Sequence, residues 1–327
     1  MPPVAPAHVA WIVVIVYAGG MTNEARLVTV ATGVHAWIGA GGDSNAGAIE
    51  TPDGMIVIDA QQYPRLGRMF RDAIGKVTSK PLSILIDTHC HLDHTHGNVV
   101  FEDLPILAHE KCLAAMQSAL GPMTGDRWEI TDFSTKLRIL FGTNVNELVP
   151  EGDPYRAWFH KRIGLPDYDV VTILPPTQTF ADQFVFRLPN ETVRLEYWGP
   201  AHCDNDIVVY LEKSKVAFLG DLVFNGRYPW IGDGNLDGWI DRLSHVLTLD
   251  ISVAIPGHGP PTDLKEVKRF RDMLIAIRTG VEKAIKAGWS EEAAVRDVQV
   301  PEFMHVDRYK EWMPIDVKAA YRQMKGK

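Results

Sequence analysis

Apolar residues along this chain come in short bursts broken by glycine, proline or charged turns, and the period of each burst assigns its element. Residues 27–31, 34–38, 46–50 and 55–58 alternate or run apolar over strand lengths. Pro52-Asp53-Gly54 between the last two predicts a hairpin turn. Residues 65–77 carry a helical period, and Leu82-Ser83-Ile84-Leu85-Ile86 reads as a buried strand. Strands resume at 179–188, 193–198, 207–211 and 216–219. Residues 239–249 then predict a helix, 251–255 a strand and 264–286 a long amphipathic helix, with helical segments closing the chain, the last at 315–324. Strands followed by helices, twice over, define an α/β chain and hint at a duplicated architecture, although no sequence repeat accompanies it.

Two stretches depart from this rhythm. Residues 120–170 scatter glycine, proline, tryptophan and tyrosine among polar residues over more length than a connection needs, which predicts either an inserted lid or an irregular excursion. Residues 9–18 form an unbroken apolar run too short to span a bilayer. That run resembles a signal-peptide core ending near Val16-Tyr17-Ala18, but no Lys or Arg precedes it; the other reading is a true start at Met21. Residues 1–20 are therefore set aside as a leader, leaving one domain over 21–327 with a helical segment at 262–327. The expected location is the cytoplasm, or the periplasm or exterior if the leader is a signal peptide, with no integral membrane anchor.

Composition narrows the class. With 327 residues, 46% of them hydrophobic and 23% charged, the chain is able to bury a large core. A net charge of −8 argues against a nucleic-acid partner, and the partner expected is a small-molecule substrate. Runs such as Lys265-Glu266-Val267-Lys268-Arg269 mix signs and read as solvated helix faces. Three cysteines, Cys90, Cys112 and Cys203, make no disulfide framework. The pattern leaves oligomeric state open.

Chemistry concentrates after the strand at 82–86. His89-Cys90-His91-Leu92-Asp93-His94 places three imidazoles and a carboxylate in one loop, and His202, Asp221 and His258 each stand close to a glycine or proline. His8, His35, His109, His160, His245 and His305 carry no such company and read as surface or packing residues, with His96 a bystander to the cluster. Imidazoles two apart on extended backbone face one way, so His89 and His91 share a point while Asp93 and His94 turn toward a second. The same alternation turns Cys90 and Cys203 away. Nitrogen and oxygen donors suit a borderline cation such as zinc, and these donors suffice for two adjacent ions.

Thr88-His89-Cys90-His91-Leu92-Asp93-His94, followed by Gly97-Asn98, resembles the signature of the metallo-β-lactamase superfamily. Gly199-Pro200-Ala201-His202, Gly220-Asp221 and Pro256-Gly257-His258-Gly259 are similar to its later motifs, and Asp59 to its early aspartate. The resemblance implies a four-layer αββα sandwich. It implies His89, His91 and His202 around one metal, Asp93, His94 and His258 around a second, and Asp221 bridging both. Asp59 would act as an acceptor that orients a ligand imidazole. Two zinc ions are implied, with iron or manganese as alternatives. Such a site makes water acidic for attack on a carbonyl or phosphoryl centre, and Asp93 is expected to orient that water and carry its proton.

Departures from the family pattern select among its branches. His91 stands where oxygen-reducing di-iron members carry glutamate, which favours zinc and hydrolysis, although sulfur dioxygenases on this fold also keep histidines. Asp221 and Phe224 stand where the zinc β-lactamases carry cysteine and a lysine that grips the substrate carboxylate. The chain therefore looks like glyoxalase II, lactonases or unassigned hydrolases, acting on an ester, thioester, lactone or lactam. An iron-dependent oxidoreductase of the sulfur dioxygenase type is the alternative. No diagnostic glutathione-binding spacing accompanies Lys265, Lys268, Arg269 and Arg271. Asn98, Trp198, Tyr228, Trp230 and Trp239 are candidates to line the substrate cleft; helix capping competes for Asn98, and core packing for the rings.

Overall fold

The structure is a computed structural model that describes residues 24–326, so the expected leader at 1–20 lies outside the described residues. β1 (Arg26–Ala31), β2 (Val34–Ile38), β3 (Ala46–Glu50) and β4 (Met55–Ile58) run antiparallel in succession, with the Pro52-Asp53-Gly54 turn joining the last two. After α1 (Pro64–Val77), β5 (Leu82–Ile86) returns parallel to β4. A single turn, α2 (Leu92–Thr95), and a 3-10 segment lead to β6 (Ile106–His109), parallel to β5, and then to α3 (Glu110–Leu120).

Residues 120–170 are regular rather than loose. They hold β7 (Trp128–Ile130), α4 (Phe133–Phe141), α5 (Val145–Leu148) and α6 (Arg156–Ile163), and β7 pairs with β8 (Val171–Ile173) in a ribbon of its own. Leu137, Phe141, Phe159 and Ile163 bury their side chains in the core shared with the C-terminal helices.

β9 (Gln178–Phe180) completes the first sheet beside β6, and β10 (Gln183–Leu188) opens the second. The one strand expected at 179–188 is therefore two. The chain changes sheet at Ala181-Asp182, and because both pieces keep strand character the sequence does not mark the change of partner. β11 (Glu191–Tyr197), β12 (Ile207–Leu211) and β13 (Val216–Phe224) continue antiparallel. β13 extends past the expected end at 219 and so carries Asp221 within the strand. α7 (Leu236–Val246) starts earlier than expected because the Asn235 side chain accepts from Gly238 N and caps it. β14 (Val253–His258) then pairs parallel to β13. α8 (Leu264–Lys286), capped by Asp263, is followed by α9 (Glu291–Asp297) and α10 (Tyr309–Lys325).

Strand alternation decides what each face buries. Val34, Ala36 and Ile38 point at Val193, Leu195, Val209 and Phe218 of the other sheet, while Trp37 between them turns to Phe70 and Ile74 of α1. The outer face of the second sheet is covered by Trp239, Phe270, Leu274 and Trp312 of the late helices. Each fully buried apolar side chain of this size contributes roughly 1.5–3 kcal/mol. Helix, sheet, sheet and helix make the four-layer αββα sandwich that the resemblance implies. Among the described residues no helix is long and apolar enough to cross a membrane.

Candidate metal centre

The donor residues occupy strand ends or the loops just beyond them. His89 and His91 follow β5, Asp93 and His94 lie on α2, His202 follows β11, Asp221 sits in β13 and His258 ends β14. Such ends converge on one side of an α/β sheet. Backbone bonds lock the convergence: Asp59 N donates to Ile86 O at 2.8 Å and Ile207 N to Thr88 O at 2.9 Å. Glycine makes room for the shared carboxylate. A Cβ at Gly257 would lie 1.9 Å from Asp221 Oδ1, so any larger residue there displaces it.

Two overlapping groups result. One donor atom each from His89, His91, His202 and Asp221 lies within 4.8 Å of the others, and the same holds for Asp93, His94, Asp221 and His258. Asp221 divides between them. Its Oδ2 is 3.8 Å from His89 Nε2 and 3.5 Å from His202 Nε2, whereas its Oδ1 is 3.1 Å from His94 Nε2 and 3.4 Å from His258 Nε2. His91 turns Nδ1 inward, 2.9 Å from His202 Nε2. Asp93 Oδ2 lies 3.2 Å from His258 Nε2.

Behind the donors stands a second ring of contacts. Asp59 Oδ2 is 2.8 Å from His94 Nδ1, and the same carboxylate accepts from Thr88 N and Thr88 Oγ1 at 2.8 and 2.9 Å. His202 Nδ1 is 3.1 Å from the Trp230 carbonyl, and His258 Nδ1 is 2.8 Å from Arg227 Nη1. Burial holds the His202 imidazole neutral down to about 3, against the pull of Asp221. Burial and the neighbouring His94 also lower His89 well below the ordinary value. His94 goes the other way: burial disfavours its charge, but Asp221, Asp59 and Asp93 outweigh it and raise it well above. Burial likewise works against the charge on Asp221, yet His258 and His94 keep that carboxyl well below its usual range.

A family comparison assigns this geometry. The model described as the metallo-beta-lactamase superfamily matches residues 39–258. The chain belongs to the metallo-beta-lactamase superfamily. It is 23% identical over 276 residues to a linear primary-alkylsulfatase of Pseudomonas sp., covering 77% of this chain and 49% of that protein. It is 24% identical over 246 residues to the 2,4-dinitroanisole O-demethylase subunit alpha of Nocardioides sp., covering 74% and 60%. The chain thus spans only about half to three fifths of the length of these curated relatives. A solved stereoselective inverting sec-alkylsulfatase of Pseudomonas sp. shares the fold with a TM-score of 0.67 and 15% identity, over 92% of this chain and 50% of that one.

The superfamily implies metals, and the residues fit them. His89 Nε2, His94 Nε2 and Asp221 Oδ1 are buried polar atoms that make no well-aligned hydrogen bond among the described residues, close as the last two lie, which is costly unless a cation satisfies them. Cys90 and Cys203 stay out of both groups: Asn205 Nδ2 reaches Cys90 Sγ at 3.4 Å, and Cys203 Sγ donates to Asp206 Oδ1 at 3.2 Å.

The expected substrate contacts are placed differently. Asn98 is buried and donates to Asp87 Oδ2 at 3.0 Å and the Leu174 carbonyl at 3.2 Å, so it neither caps a helix nor faces the donors. Tyr228 is fully buried against Tyr309 and Met313. Trp230 packs its ring on Phe141 and Trp312 and donates Nε1 to the Phe141 carbonyl at 2.7 Å; only its own carbonyl meets the site. Trp198 stacks edge-on with His245. Trp239 lies 5.1 Å from the His202 ring and packs on Phe270. Tyr228, Trp230 and Trp239 thus serve the core, and Trp198 is half-buried at its margin. Arg227, which meets His258, escaped sequence reasoning. For Arg227 the available signal was its place six residues after Asp221 on the same strand exit.

Proposed function

We propose that this protein is a binuclear zinc hydrolase that cleaves an ester, thioester, lactone or lactam bond, with an ester the favoured target. The division of Asp221 between two donor groups, one carboxylate oxygen to each, carries this reading. Relatives named alkylsulfatase support an ester, as do Asp221 and Phe224 at positions where zinc β-lactamases carry cysteine and lysine.

His89, His91, His202 and Asp221 Oδ2 would hold the first cation, and Asp93, His94, His258 and Asp221 Oδ1 the second. Two divalent cations, when bound, supply Lewis acidity and bring the acidity of a water molecule near neutral pH. Asp93 is the donor most open to solvent, with 13% of its side chain exposed, so it fronts the entrance. It is held as a carboxylate: burial would raise its pKa, but His94 and His258 keep it below the ordinary range. Asp93 orients the attacking water and accepts its proton as the new bond to oxygen forms. It returns that proton to the leaving oxygen as the ester bond breaks, so ester and water give acid and alcohol. Asp59 keeps the His94 ring turned toward the site.

Metal analysis of the purified wild type beside Asp221→Ala tests the reading. Two zinc ions per chain, lost in the variant together with turnover of p-nitrophenyl esters, is the expected result. One iron per chain, unaffected by Asp221→Ala, would sink it.

A further inference from the structure

We propose that the entrance to the metal centre is a three-arginine clamp for a tetrahedral oxyanion, which makes the substrate an ester of sulfuric or phosphoric acid; this rests on the hydrolase reading above. The guanidinium groups come from segments far apart in the chain: Arg162 from α6, Arg227 from the exit of β13 and Arg308 from the cap of α10. Arg227 is the innermost. Its Nη1 lies 2.8 Å from His258 Nδ1, and its guanidinium stacks over the Trp312 ring at 4.5 Å. It interacts with Asp93 and Asp221 and is repelled by both Arg308 and Arg162, so the three cations share one neighbourhood.

The other two arginines flank the mouth. Arg162 donates to Gln62 Oε1, lies over the rings of Tyr63 and Tyr168, and interacts with Asp93. Arg308 stacks 5.2 Å over Trp158. It also holds φ at +66°, a left-handed backbone that a non-glycine residue adopts at a cost, and such strain gathers at ligand clamps. Among the described residues, carboxylates reach these two through single longer contacts, Asp43 at 3.6 Å from Arg162 and Asp307 at 3.4 Å from Arg308. Aromatic planes thus hold the guanidinium groups in place without cancelling their charge.

Position fixes what the clamp reads. Arg162 and Arg227 both act on the charge of Asp93, the donor most open to solvent, so an anion held between them lies beside the donor groups rather than on a remote tail. A planar fork suits an oxyanion bidentately, and three forks match a group with several free oxygens better than they match a carboxylate with two. Repulsion among the arginines falls when the anion enters. Arg162 and Arg227 lie within the residues that the superfamily model matches, and Arg308 lies beyond them. The reaction consumes one water, breaks one ester bond and releases an alcohol and inorganic sulfate or phosphate, with no oxidant or reductant.

Calorimetric titration of the metal-loaded protein with inorganic sulfate, inorganic phosphate and acetate tests the clamp, alongside turnover of p-nitrophenyl sulfate, phosphate and acetate. Sulfate or phosphate should bind more tightly than acetate, and the tighter of the two identifies the acid. Arg162→Ala and Arg308→Ala should each weaken that oxyanion about tenfold or more, and lower kcat/KM on its p-nitrophenyl ester relative to p-nitrophenyl acetate by a similar factor. Arg162→Lys and Arg308→Lys, which keep the charge without the fork, should lose less. Arg296→Ala, exposed on α9 and paired with Asp297, should change none of these. Acetate binding as tightly as both tetrahedral ions, or affinities that survive in all four variants, would overturn the proposal. Failure of the hydrolase reading looks different: no metal and no turnover, with oxyanion affinity still dependent on the arginines.

Discussion

Around Asp221 Oδ2 the donors are three imidazoles, His89, His91 and His202, whose outer contacts are a hydroxyl and a carbonyl. Around Oδ1 they are two imidazoles and the Asp93 carboxylate, with Asp59 behind His94 and Arg227 behind His258. The first half is sealed, and burial itself keeps His202 and His89 uncharged. The second half is electrostatic. It gathers three carboxylates about His94 and opens toward solvent at Asp93. One chain thus builds one half that is ready for a cation by desolvation and another that is ready by charge.

Removing a donor from each half gives the largest expected effect. His202→Ala should empty the first half and His258→Ala the second, each leaving the opposite ion bound and turnover at background. Metal stoichiometry of the two purified variants decides; retention of both ions in either one breaks the division. Behind the donors, Asp59→Asn should weaken metal in the second half about 10–100-fold and affect the first less, because His94 meets that carboxylate directly whereas His89 meets it only through Thr88. Chelator competition measures this, and equal loss in both halves would mean that the halves are not independent.

The smallest effect is one of pH on the metal-free protein. Unfolded imidazoles take up a proton near pH 6.5, but folded His202 refuses it until about 3, so stability falls as pH drops through that window. Folded His94 keeps its proton above the ordinary value, so its contribution is present below about pH 6.5 and is lost as pH rises through its raised pKa. In urea unfolding across pH after chelation, His202→Gln should flatten the acid limb and His94→Gln the alkaline one. Unchanged limbs in both variants would refute the assigned charges.

Much of the site was legible because metal chemistry restricts donors to few residue types, and short spacings such as His89-Cys90-His91 force neighbours on the chain to be neighbours in space. Asp59 was legible for a related reason: it follows the last residue of β4, and strand ends converge. The rings at 198, 228 and 230 were not, since nearness to a donor in sequence says nothing about which side of a strand exit a large side chain leaves. Tyr228 comes one residue after Arg227, yet it points into the core while Arg227 lies against His258.

By itself the sequence determined most strands and helices outside residues 92–173, the turn at residues 52–54, the helix over 264–286 and the candidate donors, since each rests on a local period or a residue's own chemistry. Tertiary structure alone decided that 179–188 divides between two sheets, that Asn98 serves Asp87 rather than the substrate, and that Arg162, Arg227 and Arg308 meet at one entrance. The physical reason is range. Periodicity and ligand chemistry act within a few residues, whereas sheet partnership and side-chain convergence are set by packing between segments that no local period connects.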